Sequence, residues 1–179
     1  DTGQLKVCDF GMARKFGDPL GAHTPECVTL WYRSPEVLLG ARDYSTPSDM
    51  WSVGCIFGEL LLRKPLFPGQ GEVDQISRVF NALGKPTELS WPNFEVLPHA
   101  SKISWRVPTQ GNIRALFPAT SFVSGGLSLS GSGFNLMCSL LEIDPAKRIS
   151  ASEALAHPWF KEEPLAKPQH LMPKFVREG

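Results

Sequence analysis

The sequence predicts a mainly α fold with one short strand near its start, and three observations carry that prediction. The first is a long apolar stretch, Thr46 to Leu62, introduced by helix-start residues and stopped by Pro65. The second is a pair of amphipathic segments, 72–83 and 134–143, with apolar residues at helical spacing. The third is that 16 glycines and 16 prolines fall mostly between these segments, where they punctuate connectors. A single run, Leu5-Lys6-Val7-Cys8, reads as a strand entered through the turn residues Asp1-Thr2-Gly3.

Each element has local reasons. Thr46 is placed to cap the long helix, Pro47 suits its first helical position, and Asp49 has capping-box spacing beside the positive N-terminus. Arg63 and Lys64 complement the other end of the dipole. The helix is apolar on most faces, so it is expected to be surrounded by protein. In the second helix Val73, Ile76, Val79, Phe80 and Leu83 form the apolar stripe and Gly84 ends it. Residues 85–122 read as a long packed connector pegged by Trp91, Leu97 and Trp105, with a short helix near Asn112 to Phe117. The small-residue run 121–133 reads as flexible. A helix over 134–143 follows, with Leu136, Met137, Leu140 and Leu141 on one side, then a last one over 150–156. The tail from Pro164 is proline-punctuated.

Composition excludes several functions. Lys+Arg and Asp+Glu both number 18, so no net charge favours nucleic acid or an anionic membrane. The 4 cysteines form no C-x-x-C pair and read as reduced thiols, the pattern of a cytosolic or nuclear protein. The run Met50 to Leu62 is too short to span a bilayer and contains Glu59. The glycines of 121–133 fit no phosphate-loop frame. The chain opens with Asp inside an apparent turn, so it is expected to be a piece of a longer one.

The stretch from Asp9 to Glu36 carries the chemistry. It opens with Asp9-Phe10-Gly11 and closes with Ser34-Pro35-Glu36, and between them lies an irregular loop with a Thr24-Pro25 step. Protein kinases bracket their activation loop with DFG and APE. Val28-Thr29-Leu30-Trp31-Tyr32-Arg33 matches the string of cyclin-dependent kinases, with departures at Cys27 and at Ser34, where that family has alanine. The loop has Thr24-Pro25-Glu26 where mitogen-activated kinases carry Thr-x-Tyr. A D-P-x-x-R string follows at Asp144 to Arg148. The chain therefore resembles the C-terminal helical lobe of a protein kinase, an α+β fold, and is most similar to the PITSLRE branch through DMWSVGCIFGELL at 49–61 and Glu72-x-Asp74-Gln75-Ile76. The resemblance implies a partial kinase domain over 1–160 and a tail over 161–179.

The resemblance also implies roles. Asp9 would ligate the Mg2+ that bridges ATP phosphates, with Phe10 and Gly11 in the same cofactor-binding tripeptide. Thr29 would hold the catalytic base. Thr24 would be the activation-loop phosphosite, its phosphate collected by Arg14. Val28 and Arg33 would shape the subsite for the residue after the phosphoacceptor, where proline is favoured. Asp49 would hold the backbone of the catalytic loop, and Arg148 would pair with Glu36. The implied activity is ATP-dependent serine/threonine phosphorylation, the implied partners are a cyclin and protein substrates, and an accessory protein could dock on the 72–122 surface. Nucleic acid and membrane are not expected partners. The family favours the nucleus over the cytoplasm. This chain contains no glycine-rich loop, no V-A-I-K lysine and no H-R-D-x-x-x-x-N string, so these residues alone are not expected to catalyse phosphoryl transfer. The alternative is a non-catalytic interaction module acting through the 72–122 surface.

Overall fold

The computed structural model describes residues 5–13, 29–42, 45–103, 106–119 and 128–172. Arg14, Thr24 and Val28 lie outside these residues, as does Trp105. The described chain is helical: α1 (Pro35–Leu38), α2 (Thr46–Leu62), α3 (Glu72–Leu83), α4 (Gly131–Leu140) and α5 (Ala151–Leu155), joined by 3₁₀ turns. The mainly α class of a kinase C-terminal lobe holds. The strand expected at Leu5–Cys8 does not form: these residues are irregular, with Leu5 94% and Val7 80% exposed. A strand needs a ladder partner for its N–H and C=O groups, and no described residue supplies one.

Helix α2 is the central element and packs on α4. It buries Trp51, Gly54, Cys55 and Gly58, one stripe at helical spacing. Gly54 brings the two helices together, because a Cβ there would stand 2.9 Å from Leu141 Cδ2. Trp51 stacks on Phe67 at 6.1 Å between ring centroids, and the core continues through Phe80, Phe94, Phe117 and Met137. The helix is not surrounded by the described residues: Val53, Ile56 and Leu60 are exposed on its other side. Its start also differs from expectation. Ser45 is the N-cap, Thr46 is already helical, and no side chain caps the turn. The backbone closes it instead, with Ser48 N–H donating to the Ser45 carbonyl at 2.9 Å. At the other end Arg63 adopts φ 56° and donates its N–H to the Glu59 carbonyl at 2.7 Å, a left-handed stop before Pro65 acts.

Helix α3 ends at Gly84, whose φ of 97° and 2.7 Å approach of a would-be Cβ to the Thr109 carbonyl leave no room for a side chain. Its buried stripe is Gln75, Ile76, Val79 and Phe80; Val73 faces out. The described part of the connector after α3 folds as three 3₁₀ turns, Phe94–Val96, Ala100–Lys102 and Ile113–Leu116. It is tied to the rest by Lys147, whose ammonium donates to the carbonyls of Leu89 (3.1 Å) and Ser90 (2.7 Å). Part of the stretch read as flexible is ordered. Leu129 is buried, Ser130 accepts from Gly133 N–H at 3.1 Å as the N-cap of α4, and the hydroxyls of Ser130 and Ser132 both donate to the Glu162 carboxylate. Helix α4 therefore starts earlier than the apolar period indicates. Ser150 and Glu153 make a reciprocal capping box on α5.

Candidate functional site

The segment Leu30–Leu38 is the best-fixed part of the candidate site, and the fixing comes from side chains of α2, α3 and the loop after α4 and from the backbone of the turn between α2 and α3. Leu30–Tyr32 forms a 3₁₀ turn closed by Tyr32 N–H on the Thr29 carbonyl at 3.1 Å. Trp31 Nε1 donates to the Gly69 carbonyl at 2.9 Å, and Gln75 Nε2 donates back to the Trp31 carbonyl at 3.3 Å. Gln75 is fully buried and its Oε1 accepts from Gly69 N–H at 2.9 Å, so both ends of this amide are used. Tyr32 donates its hydroxyl to Glu59 at 2.7 Å, and Ser52 donates to the Tyr32 carbonyl at 3.0 Å. The hydrogen bond to Glu59, with burial and the Glu59 charge adding to it, pushes the Tyr32 pKa up to about 12. Arg33 Nη1 donates to Glu72 Oε1 at 2.6 Å.

Below this segment lies a buried ion pair. Arg148 meets Glu36 with two parallel bonds, Nη1 to Oε1 at 2.8 Å and Nη2 to Oε2 at 2.9 Å. The guanidinium also donates to the carbonyls of Pro47 (2.7 Å), Glu142 (2.8 Å) and Ile143 (3.4 Å), and stands 5.3 Å over the Trp51 ring. Burial raises the Glu36 pKa, but the bonds and charge of Arg148, with the Ser48 hydroxyl at 2.9 Å, outweigh burial and leave it below the ordinary value. Ser34, placed where the resembled family has alanine, donates its hydroxyl to Ser48 at 3.1 Å and so joins the same network.

Among the described residues, the remaining predicted site residues are not gathered. Asp9 is exposed and sits at φ 63°, a left-handed conformation uncommon for a residue with a side chain. Phe10 to Met12 turns as 3₁₀ helix behind it, and Ala13 N–H closes on the Phe10 carbonyl at 3.0 Å. Thr29 is exposed at the head of the anchored segment, and Asp49 is exposed on the first turn of α2. Asp9 offers the hard oxygen donor that magnesium takes. No group of three His, Cys, Asp or Glu side chains that could hold a metal forms among the described residues. Sequence reasoning missed Ser48, Glu59, Glu72 and Gln75. Glu72 and Gln75 stood inside a string noted for its likeness, but nothing local to α3 says that they reach back some forty positions to Arg33 and Trp31.

A helical lobe entered by Asp-Phe-Gly, with a Trp-Tyr-Arg segment clamped on two helices and a buried Glu–Arg pair beneath it, defines the large lobe of a protein kinase. The family model for the protein kinase domain matches residues 1–160, and the chain belongs to the protein kinase family, among the cyclin-dependent kinases. It is 52% identical over 177 residues to cyclin-dependent kinase G1 of Arabidopsis thaliana, covering 98% of this chain and 28% of that protein. To cyclin-dependent kinase 11B of Homo sapiens it is 52% identical over 164 residues, covering 92% of this chain and 20% of the relative. To the probable cyclin-dependent kinase 10 of Dictyostelium discoideum it is 49% identical over 177 residues, covering 98% of this chain and 46% of the relative. The chain thus spans less than half the length of each. Among the described residues no helix is long and apolar enough to cross a membrane.

Proposed function

We propose that the chain is the substrate-presenting half of a cyclin-dependent serine/threonine kinase whose intact form phosphorylates Ser-Pro and Thr-Pro sequences with ATP and Mg2+. The observation that carries this reading is the clamped segment: Trp31, Tyr32 and Arg33 are each held by a side chain or carbonyl from α2, α3 or the turn between them, which is what a peptide-reading shelf requires. Arg33 and Val28 then shape the subsite after the phosphoacceptor. Proline fits a subsite whose backbone offers no partner for a substrate N–H, because proline has none. Asp9 is a magnesium ligand, Thr29 steadies the catalytic base, and phosphorylated Thr24 with Arg14 orders the loop between them. Asp49 supports the catalytic-loop backbone. The kinase domain occupies 1–160 and a tail 161–179; the partners are a cyclin and protein substrates, and the nucleus is the place of work.

The test is a peptide-library screen with the intact kinase bound to its cyclin. Enrichment of proline directly after the phosphorylated serine or threonine is expected, and a screen without that enrichment refutes the reading. Leu89 and Val96, exposed apolar residues on the connector after α3, favour a second role for the 72–122 surface as a protein-docking face. A kinase-inactive form that still binds a partner through that face would separate the two.

A further inference from the structure

We infer that Gln75 is a positioning residue for the peptide-reading segment: it closes a ring of hydrogen bonds through Trp31 and Gly69 that fixes how Trp31 sits on α3. The inference rests on the proline-directed reading above and names a group that keeps the reading segment in place. Gln75 is the polar member of the buried stripe of α3, beside Ile76, Val79 and Phe80, and is itself fully buried. A polar side chain in such a place costs stability unless its amide is bonded at both ends. Nε2 donates to the Trp31 carbonyl at 3.3 Å, Oε1 accepts from Gly69 N–H at 2.9 Å, and the Gly69 carbonyl accepts from Trp31 Nε1 at 2.9 Å. Each of the three residues gives one bond and receives one, so the ring closes. The partners also dictate which way the amide points, because a backbone N–H only donates and a carbonyl only accepts. The approach is close: a Cβ on Gly69 would stand 2.6 Å from Gln75 Cα.

An apolar side chain of the same length shows where the ring bears. In Gln75→Met, Gly69 N–H keeps its second acceptor, the Phe67 carbonyl at 3.0 Å, and Trp31 Nε1 keeps the Gly69 carbonyl. The group that loses its partner is the Trp31 carbonyl, which lies on the peptide-reading segment and not on α3. The peptide unit after Trp31 is then held on one edge, by Tyr32 N–H on the Thr29 carbonyl at 3.1 Å. The residues that follow are anchored elsewhere, Tyr32 by Glu59 and Ser52 of α2, and Glu36 by Arg148. The change therefore shifts Trp31 within a segment whose other ties remain. A proline after the phosphoacceptor has no N–H and is recognised by the fit of its ring, so it feels that shift; alanine has less contact to lose.

The experiment uses the intact kinase with its cyclin and two peptides that differ only by proline or alanine after the serine. Both kcat and KM are measured for wild type, Gln75→Met, Trp31→Phe and Val79→Ala, with a melting curve for each. In Gln75→Met the KM of the proline peptide should rise on the order of fivefold, the worth of one net hydrogen bond, with kcat little changed. The proline-to-alanine ratio of kcat/KM should fall with it. Trp31→Phe opens the ring at the Gly69 carbonyl and should act in the same direction; it carries the test in place of Gln75→Met if that variant does not fold. Val79→Ala removes fully buried apolar volume from the same stripe of α3, so it should lower the melting temperature while keeping the wild-type ratio. A ratio that holds in a folded Gln75→Met, or that falls as far in Val79→Ala, overturns the inference alone. A wild-type enzyme without proline preference overturns the proline-directed reading, and this inference with it.

Discussion

Replacing Arg148 by methionine isolates the contribution of the buried ion pair. The arginine side chain is fully buried and that of Glu36 is 5% exposed, so the substitution strands a carboxylate with the Ser48 hydroxyl as its remaining side-chain donor. Breaking one partner of such a pair costs about 3–5 kcal/mol. Three carbonyls, of Pro47, Glu142 and Ile143, lose a donor as well, which puts the loss toward the upper end. For a chain of this size the corresponding drop in Tm is roughly 6–20 °C. The pH dependence is the sharper readout. In the wild type the Glu36 pKa lies below its ordinary 4.5, so its contribution is present above that pH and is lost as pH falls through the folded value. Without Arg148, burial, the largest influence on Glu36, is opposed only by the Ser48 hydroxyl and the backbone, so the folded pKa should move above the ordinary value and reverse the sign: the variant gains stability relative to wild type as pH falls from 7 toward that raised value. Urea melts at neutral and mildly acidic pH measure the gap, and the double variant Arg148→Met/Glu36→Leu should recover most of it. A neutral-pH loss below about 1 kcal/mol, or a gap that does not narrow on acidification, refutes the stranded-charge argument.

Two further outcomes follow from the same network. Ser48→Ala should cost about 1–3 kcal/mol, because it strips Glu36 of a donor and leaves the Ser34 hydroxyl, in a residue 2% exposed, without its acceptor; Ser34→Ala, which leaves Ser48 on Glu36, should cost clearly less, and equal losses in chemical denaturation would count against the relay. Glu59→Ala should bring the Tyr32 pKa down from about 12 toward 10.0, read by ultraviolet titration. Since a raised pKa stabilises below the unfolded value and is lost on the way up to the folded one, the wild type should also lose stability between pH 10 and 12 more steeply than the variant.

Helix existence was legible because its causes are local. The apolar run of α2, the period of α3 with Gly84 at its end, and the Ser150–Glu153 spacing on α5 each announce themselves within a few residues. Boundaries were less so. Thr46 has the chemistry of a cap but stands inside the helix, and Ser130-Gly131-Ser132-Gly133 has the composition of a linker but caps α4, because Glu162, thirty positions on, collects its hydroxyls. Gly133 must be small for a further distant reason: a Cβ there would lie 2.6 Å from Leu129 and 2.7 Å from Trp159. In the site, the Asp9 and Glu36 ends of the bracket are written as motifs. The clamps on Trp31, Tyr32 and Arg33 are not, since Gly69, Glu59 and Glu72 become partners only once α2 and α3 are packed. Leu5–Cys8 fails as a strand for the same reason in reverse, because its propensity is local and its ladder is not.

Helix α2 shows how the two tasks of this lobe are divided. Trp51, Gly54, Cys55 and Gly58 face inward, where they seat α4, Phe67 and the Arg148 guanidinium. Asp49, Val53, Ile56 and Leu60 follow one another at steps of four, three and four along the other side, all exposed. The segment Leu30–Leu38 is tied down by other residues, Ser52 and Glu59 on α2, Gly69 in the turn after it, Glu72 and Gln75 on α3, and Arg148. The outward stripe puts Asp49 in line with three apolar side chains, and Asp9 and Thr29 are exposed as well. Arg148→Met, which removes the seat beneath the segment Leu30–Leu38, should therefore lower the melting temperature more than an alanine at any of the outward positions Val53, Ile56 or Leu60, as melting curves would show.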